Sequence, residues 1–205
     1  VASPPWLHKE QCFKIMNAGK NCLVEKPMTQ NAQDAVEIFE CAKNNNVFCA
    51  EGVWSNYFPA MRKAKQWMQE GRIGEVVEVI ATFGCPIQTF GVDINDANHW
   101  GNNISQGGGA LSQFGCYSVN LAQFVYNQLP EKIIGVSERI DRPDGGDLNS
   151  CFILSYEGAS RRAMLSCSWT ARTQSIARIS GTEGEILIGN PFFCPYHASL
   201  YTHKN

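Results

Sequence analysis

The first seventy residues repeat a helix pattern and a strand pattern in strict alternation, and that order constrains the fold more than any single motif. Residues 6–18 put Cys12, Phe13 and Met16 on one helical face, and Gly19 supplies a positive-φ stop. A short apolar strand, Cys22 to Glu25, follows. Asn31 then reads as a helix cap with Asp34 in the first turn, and Ala32, Ala35, Val36, Phe39 and Ala42 recur at the spacing of a buried stripe. A second strand, Val47 to Glu51, precedes a helix opened by Pro59, carrying Met61, Ala64, Lys65 and Met68 and closed by Gly71. Strands separated by helices build a parallel, doubly wound sheet.

After Gly74 the period changes from helical to alternating. Glu75 to Phe83 reads as a strand, and Cys85 to Ser105 as a long polar loop. Gly107-Gly108-Gly109 opens a helix with Leu111, Phe114, Leu121, Ala122 and Val125 at core spacing. Strand-like runs 132–139, 150–156, 163–169, 175–180 and 185–188 then succeed one another across turn signals. The expected architecture is α/β: the second half of a Rossmann-type parallel sheet domain (1–72), followed by an α+β domain with a mainly antiparallel sheet (73–205).

The composition excludes several classes. A net charge of −2 with both signs interspersed offers no basic stripe for nucleic acid and no polybasic segment for lipid. No apolar run reaches the roughly 20 residues of a membrane span, and the first residues lack a signal-peptide pattern. Nine cysteines, odd in number and without Cys-x-x-Cys spacing, fit reduced thiols in the cytoplasm ahead of disulfides or zinc. Asp93 and Asp96 have no histidine or cysteine at ligand spacing, so no metal is expected. Val1-Ala2-Ser3-Pro4-Pro5 reads as a strand tip entering a loop, so the sequence is expected to be a fragment.

In open α/β sheets, ligands bind at the carboxyl ends of the strands. Gly19 to Pro27 delivers Glu25 and Lys26 to that position, where the alternative is an ordinary solvated lysine. A parallel domain followed by an antiparallel one places a crevice between them, which suits a cofactor on the first and a substrate on the second.

Several ordered motifs carry a resemblance. Ala18-Gly19-Lys20 through Glu25-Lys26-Pro27, Glu51-Gly52-Val53-Trp54, Tyr57-Phe58-Pro59, Gly107 to Leu111 with Gly115 and Tyr117, and the tail segments 179–184 and 190–195 are similar to the glucose-fructose oxidoreductase and inositol dehydrogenase family. The likeness is greatest to its dihydrodiol dehydrogenase branch, whose members are dimeric and also oxidise aldoses such as D-xylose. It implies an NADP-dependent (NAD possible) oxidoreductase acting on a secondary alcohol of a trans-dihydrodiol or a sugar, and a homodimer formed through the antiparallel sheet. It further implies that Lys26 contacts cofactor ribose and substrate hydroxyl, and that Tyr117 exchanges the proton, its pKa lowered by Lys26 and a helix dipole. Ser3, Pro4, His8, Glu25, Pro27 and Trp100 fall at cofactor positions, and Trp54, Phe58 and Gln113 at substrate positions.

Each position has a plainer alternative. His8 at a helix start also suits a structural hydrogen bond, Trp54 and Phe58 suit packing beneath Pro59, and Tyr117 suits a core aromatic. Two departures stand out. Gln113 occupies a position where the family usually carries an aspartate, and residues 73–138 contain no arginine. No Gly-x-Gly-x-x-Gly follows a strand, so this chain alone is expected to bind cofactor weakly. A binding or regulatory protein without turnover, and a purely structural sheet protein, are the rival expectations.

Overall fold

The computed structural model describes residues 1–203. Helix α1 (Pro5–Asn17), strand β1 (Cys22–Val24), helix α2 (Ala32–Asn44) and strand β2 (Cys49–Glu51) form the first layer pair, with β1 and β2 parallel and Leu23 opposite Ala50. Asn31 caps α2 as expected, its side chain accepting from Asp34 N at 2.9 Å. Cys12, Met16, Cys22, Val24, Ile38 and Ala42 fill the core between them. The stripe of α2 is rotated from the expected one. Ala35, Ile38 and Ala42 face inward, whereas Val36 and Phe39 are half exposed. This helix has two overlapping apolar faces, and periodicity alone does not decide which one meets the strands.

Helix α3 (Pro59–Gln69) follows a short helical turn at Trp54–Tyr57, and then comes the larger sheet. Its strands are β3 (Val76–Gly84), β4 (Lys132–Arg139), β5 (Asp147–Tyr156), β6 (Arg161–Ser168), β7 (Ala177–Gly181), β8 (Gly184–Ile188) and β9 (Ala198–Thr202). They lie in the order β4-β5-β6-β3-β7-β8-β9. Every neighbouring pair is antiparallel except β3 and β6, which run parallel at the centre. The strand β9 has no counterpart among the runs read from sequence. Helix α4 (Cys116–Tyr126) and α3 cover one face.

That covered face is the main core. Val79, Ala81, Phe83, Ala163, Leu165, Cys167, Ala177, Ile179, Ile186 and Ile188 point into it from alternate strand positions. Each fully buried isoleucine contributes roughly 1.5–3 kcal/mol. Met61 and Ala64 of α3 join this core, so the helix preceding the expected boundary at residue 72 packs with the larger sheet. The opposite face is open, with Ile134, Ile153, Met164 and Ile80 grading into the charged Glu78, Arg162, Arg178 and Glu185. No helix among the described residues is long and apolar enough to cross a membrane.

Candidate active site

Strand β1 is buried on one side and ends at Val24, so the next residues emerge at its carboxyl tip. Glu25 N bonds Val1 O at 2.9 Å, and the Glu25 carboxylate accepts from Lys26 N at 3.1 Å. Lys26 is thereby held at the mouth of the crevice. His8, almost fully buried, bonds this segment in place: its Nδ1 lies 3.1 Å from Met28 O and 3.2 Å from Pro27 O, and its Nε2 lies 2.7 Å from Ser3 O. Glu51 at the end of β2 completes the arrangement by accepting from Met28 N at 2.7 Å. The ring of His8 is thus occupied by main-chain carbonyls.

From the other half, a helical run starts at Ala110 and makes one widened turn over Leu111–Gly115 before continuing as α4. Wide turns of this kind recur at functional sites because they offset the main-chain ladder. Here the Gln113 carbonyl accepts from Lys26 Nζ at 3.0 Å. The same ammonium lies 5.1 Å from the centroid of the Tyr117 ring, within the range of a cation–π contact. The structure therefore brings Lys26 and Tyr117 together across the crevice.

Two details differ from what the sequence implied. The helix dipole expected to act on Tyr117 is weak there, because the helical run begins seven residues earlier at Ala110 and the dipole falls off within the first turn. Burial pushes the phenol well above its usual pKa, with the nearby Cys116 and Glu25 adding to the rise and the Trp54 side chain opposing it. The hydroxyl is a proton donor near neutral pH. Gln113 also behaves differently: its side-chain amide is engaged by Gly107 O at 3.1 Å, and its main-chain carbonyl receives the Lys26 ammonium.

The aromatic wall is larger than the sequence suggested. Trp54, half exposed, meets Phe58 edge to face at 5.6 Å. Phe83 stacks between Phe114 at 4.2 Å and Phe193 at 4.3 Å, and Phe193 lies 5.3 Å from Tyr117. Phe83 escaped the sequence reading because an aromatic on a strand looks like any core residue, and Phe193 because it reaches the wall from a turn between β8 and β9. Trp100 sits apart from this wall, packed on Trp6 at 5.9 Å beside Pro4 and Pro5 at the start of α1.

The glycine triplet is shaped by packing. A Cβ at Gly108 would fall 2.2 Å from Gly101 O, and one at Gly109 would fall 2.2 Å from Asp147 Oδ1. The amides of Gly107, Gly108 and Gly109 already bond the carbonyls of Ile104, Asn103 and Gly101, so they offer no cradle for phosphate. Arg142, from outside this loop, braces it by donating to Asn102 O at 3.0 Å. Among the described residues, no group of three or more His, Cys, Asp or Glu side chains is gathered to hold a metal.

Residues 1–53 match the family model described as an oxidoreductase family with an NAD-binding Rossmann fold, and residues 61–187 match the GFO/IDH/MocA C-terminal domain. The trans-1,2-dihydrobenzene-1,2-diol dehydrogenase of Xenopus laevis is 31% identical over 190 residues, which cover 92% of this chain and 54% of that protein. The chain thus spans about half the length of the curated relatives it matches. Two crystal structures share the fold: an NAD-binding oxidoreductase from Klebsiella pneumoniae (TM-score 0.85, 24% identity) and an aldose-aldose oxidoreductase from Caulobacter crescentus complexed with glycerol (TM-score 0.84, 21% identity). They cover 99% of this chain, and this chain covers 56% and 59% of theirs. With both halves matched in chain order, the chain belongs to the GFO/IDH/MocA family.

Proposed function

We propose that this protein is an NADP-dependent oxidoreductase, with NAD as the alternative cofactor, that transfers hydride between the nicotinamide and a secondary alcohol of a trans-dihydrodiol or an aldose such as D-xylose. The observation that carries this reading is the meeting of Lys26, Tyr117 and the Gln113 carbonyl at the strand tip. The preference for the diol and for the phosphorylated cofactor rests on the likeness to the dihydrodiol dehydrogenases.

The residues present fit the nicotinamide end of such a cofactor. Gln113 uses one of the three protons of the Lys26 ammonium, and the others suit ribose and substrate oxygens. Ser3, Pro4, Glu25, Pro27 and Trp100 shape the adjoining surface, His8 supports it from beneath through Ser3, Pro27 and Met28 without offering a free nitrogen, and the occupied amides of the glycine triplet leave the pyrophosphate to be held elsewhere. When bound, the nicotinamide supplies the hydride chemistry. Lys26 stabilises negative charge on the substrate oxygen. Tyr117, protonated near neutral pH, gives its proton to that oxygen in reduction and takes it back in oxidation. Trp54, Phe58 and Phe193 wall off water and present apolar surface to a ring, and Phe83 backs Phe193 from the core.

A second reading has its own support. The Gln113 amide is tied to Gly107 O, and an amide cannot take up a proton as a carboxylate does. A protein that binds cofactor and sugar without turnover accommodates this. Steady-state turnover of D-xylose or a trans-dihydrodiol with NADP+ or NAD+ decides between them. Turnover that is lost in Lys26→Met supports the enzyme; cofactor binding with no rate above background supports the binding protein.

We also propose that the protein acts as a cytoplasmic homodimer. All nine cysteines are free, and the open sheet face offers a self-complementary patch in which Ile134, Val136 and Ile153 are exposed.

A further inference from the structure

The mechanism leaves one partly buried carboxylate unused. Asp147, the first residue of β5, follows the turn Pro143-Asp144-Gly145-Gly146 and points across at the start of the Ala110 helical run. Its Oδ2 accepts from Leu111 N at 2.8 Å and from Ser150 Oγ at 2.9 Å. Gly109 lacks a side chain where Oδ1 approaches, so the helix start and the carboxylate are in close contact. Burial pushes the Asp147 carboxyl above its usual range, opposed by the bonds from Ser150 and Leu111 and more weakly by Arg139, its neighbour in the β4–β5 register.

The Leu111 amide held by Asp147 and the Gln113 carbonyl held by Lys26 belong to one turn, Leu111–Gly115. A shift of that turn by an ångström would separate Gln113 from the ammonium. We propose that Asp147 is a positioning residue for Lys26: by capping Leu111 it fixes the widened turn in the register at which the Gln113 carbonyl receives the Lys26 ammonium and Tyr117 faces it. Asp147 touches neither cofactor nor substrate in this role. The inference deepens the proposed function and rests on it for its catalytic consequence, but not for its structural one.

Two readouts separate these consequences. The first is the rate at which an amine-reactive acylating reagent modifies Lys26, followed by peptide mass spectrometry with Lys63 of the same molecule as the reference. In Asp147→Ala, Lys26 labelling rises several-fold relative to Lys63, and in Asp147→Asn, which keeps an acceptor for Leu111 N, it returns close to the unsubstituted rate. Ile179→Val, a core change remote from the crevice, lowers the melting temperature without altering Lys26 labelling. The second readout is kinetic: Asp147→Ala lowers kcat by about 10- to 100-fold with KM little changed, as expected for a misplaced catalytic group. Should Asp147→Ala fail to fold, Ser150→Ala, which removes the second anchor of the carboxylate, moves labelling in the same direction. Unchanged Lys26 labelling in whichever of these two variants folds overturns the proposal. A labelling change in a protein whose Lys26→Met variant keeps full turnover leaves Asp147 in place and overturns the proposed chemistry instead.

Discussion

The Lys26 ammonium lies over the face of the Tyr117 ring, 5.1 Å from its centroid, and not at its hydroxyl. The lysine comes from the tip of a parallel strand, and the tyrosine from the helix covering an antiparallel sheet. The contact therefore joins the two halves of the chain at the carboxyl tip of β1. The cation holds the ring plane without making the phenol acidic, and burial keeps that phenol protonated.

Protonation of Tyr117 sets a pH dependence. Oxidation needs the phenolate, and the folded protein holds the phenol above its ordinary value of about 10. The kcat/KM for alcohol oxidation should keep rising through pH 9 to about 10, while carbonyl reduction stays level from neutral pH upward. A plateau for oxidation below pH 8 in initial-rate profiles contradicts the assignment.

Gln113 acts through its main chain. Replacing it by alanine removes the amide bonded to Gly107 but leaves the carbonyl that receives Lys26. Gln113→Ala should change kcat/KM by less than about 10-fold, the loss of one ordinary hydrogen bond. A loss above about 100-fold, of the size produced by removing a group that contacts the reacting oxygen, shows that the amide reaches the substrate.

Two glycines with positive φ should respond differently to alanine. Gly109, at φ +113°, would place a Cβ 2.2 Å from Asp147 Oδ1, whereas Gly91, at φ +75°, has nothing within 4 Å. Gly91→Ala should cost about 1 kcal/mol and Gly109→Ala about 3 kcal/mol or more. At about 2–4 °C per kcal/mol, differential scanning calorimetry resolves the two. Equal losses contradict the packing.

Alkaline stability should be governed by buried thiols. Burial pushes Cys116 up to about 11 and Cys167 up to about 12. Above the unfolded value of about 8.5 the unfolded chain binds fewer protons than the folded one, so stability falls as pH rises until the folded values are reached. The melting temperature should drop between pH 9 and about 11, and Cys167→Ala should start lower and decline less steeply. A flat profile contradicts this.

For the proposed dimer, Val136→Arg on the exposed edge strand β4 should leave the melting transition intact and convert a dimer to a monomer in sedimentation velocity. A monomer before substitution contradicts the interface.

The alternating helices and strands were legible because each is a short element with a stop: Gly19 and Gly71 both have positive φ, and Asn31 is a cap. The proximity of Lys26 and Tyr117 was legible from the motifs around them. The orientation of Gln113 was not, because a side chain and its own carbonyl compete for the same crevice and only the widened turn decides between them. Asp147 and Arg142 were missed for a related reason: they act on a helix start and a loop far away in sequence, and nothing local marks them. Strand β9 was missed because its pairing with β8, not its own pattern, makes it a strand.

The central claim is that Lys26 and Tyr117 work as one unit on one substrate oxygen. Steady-state kinetics of Lys26→Met, Tyr117→Phe and the double variant test it most directly. Each single change should lower kcat/KM by about 100-fold or more, and the double variant should be little worse than the poorer single, because groups that act together do not add. Independent effects that multiply in the double variant, or a single variant that keeps full turnover, would contradict the account.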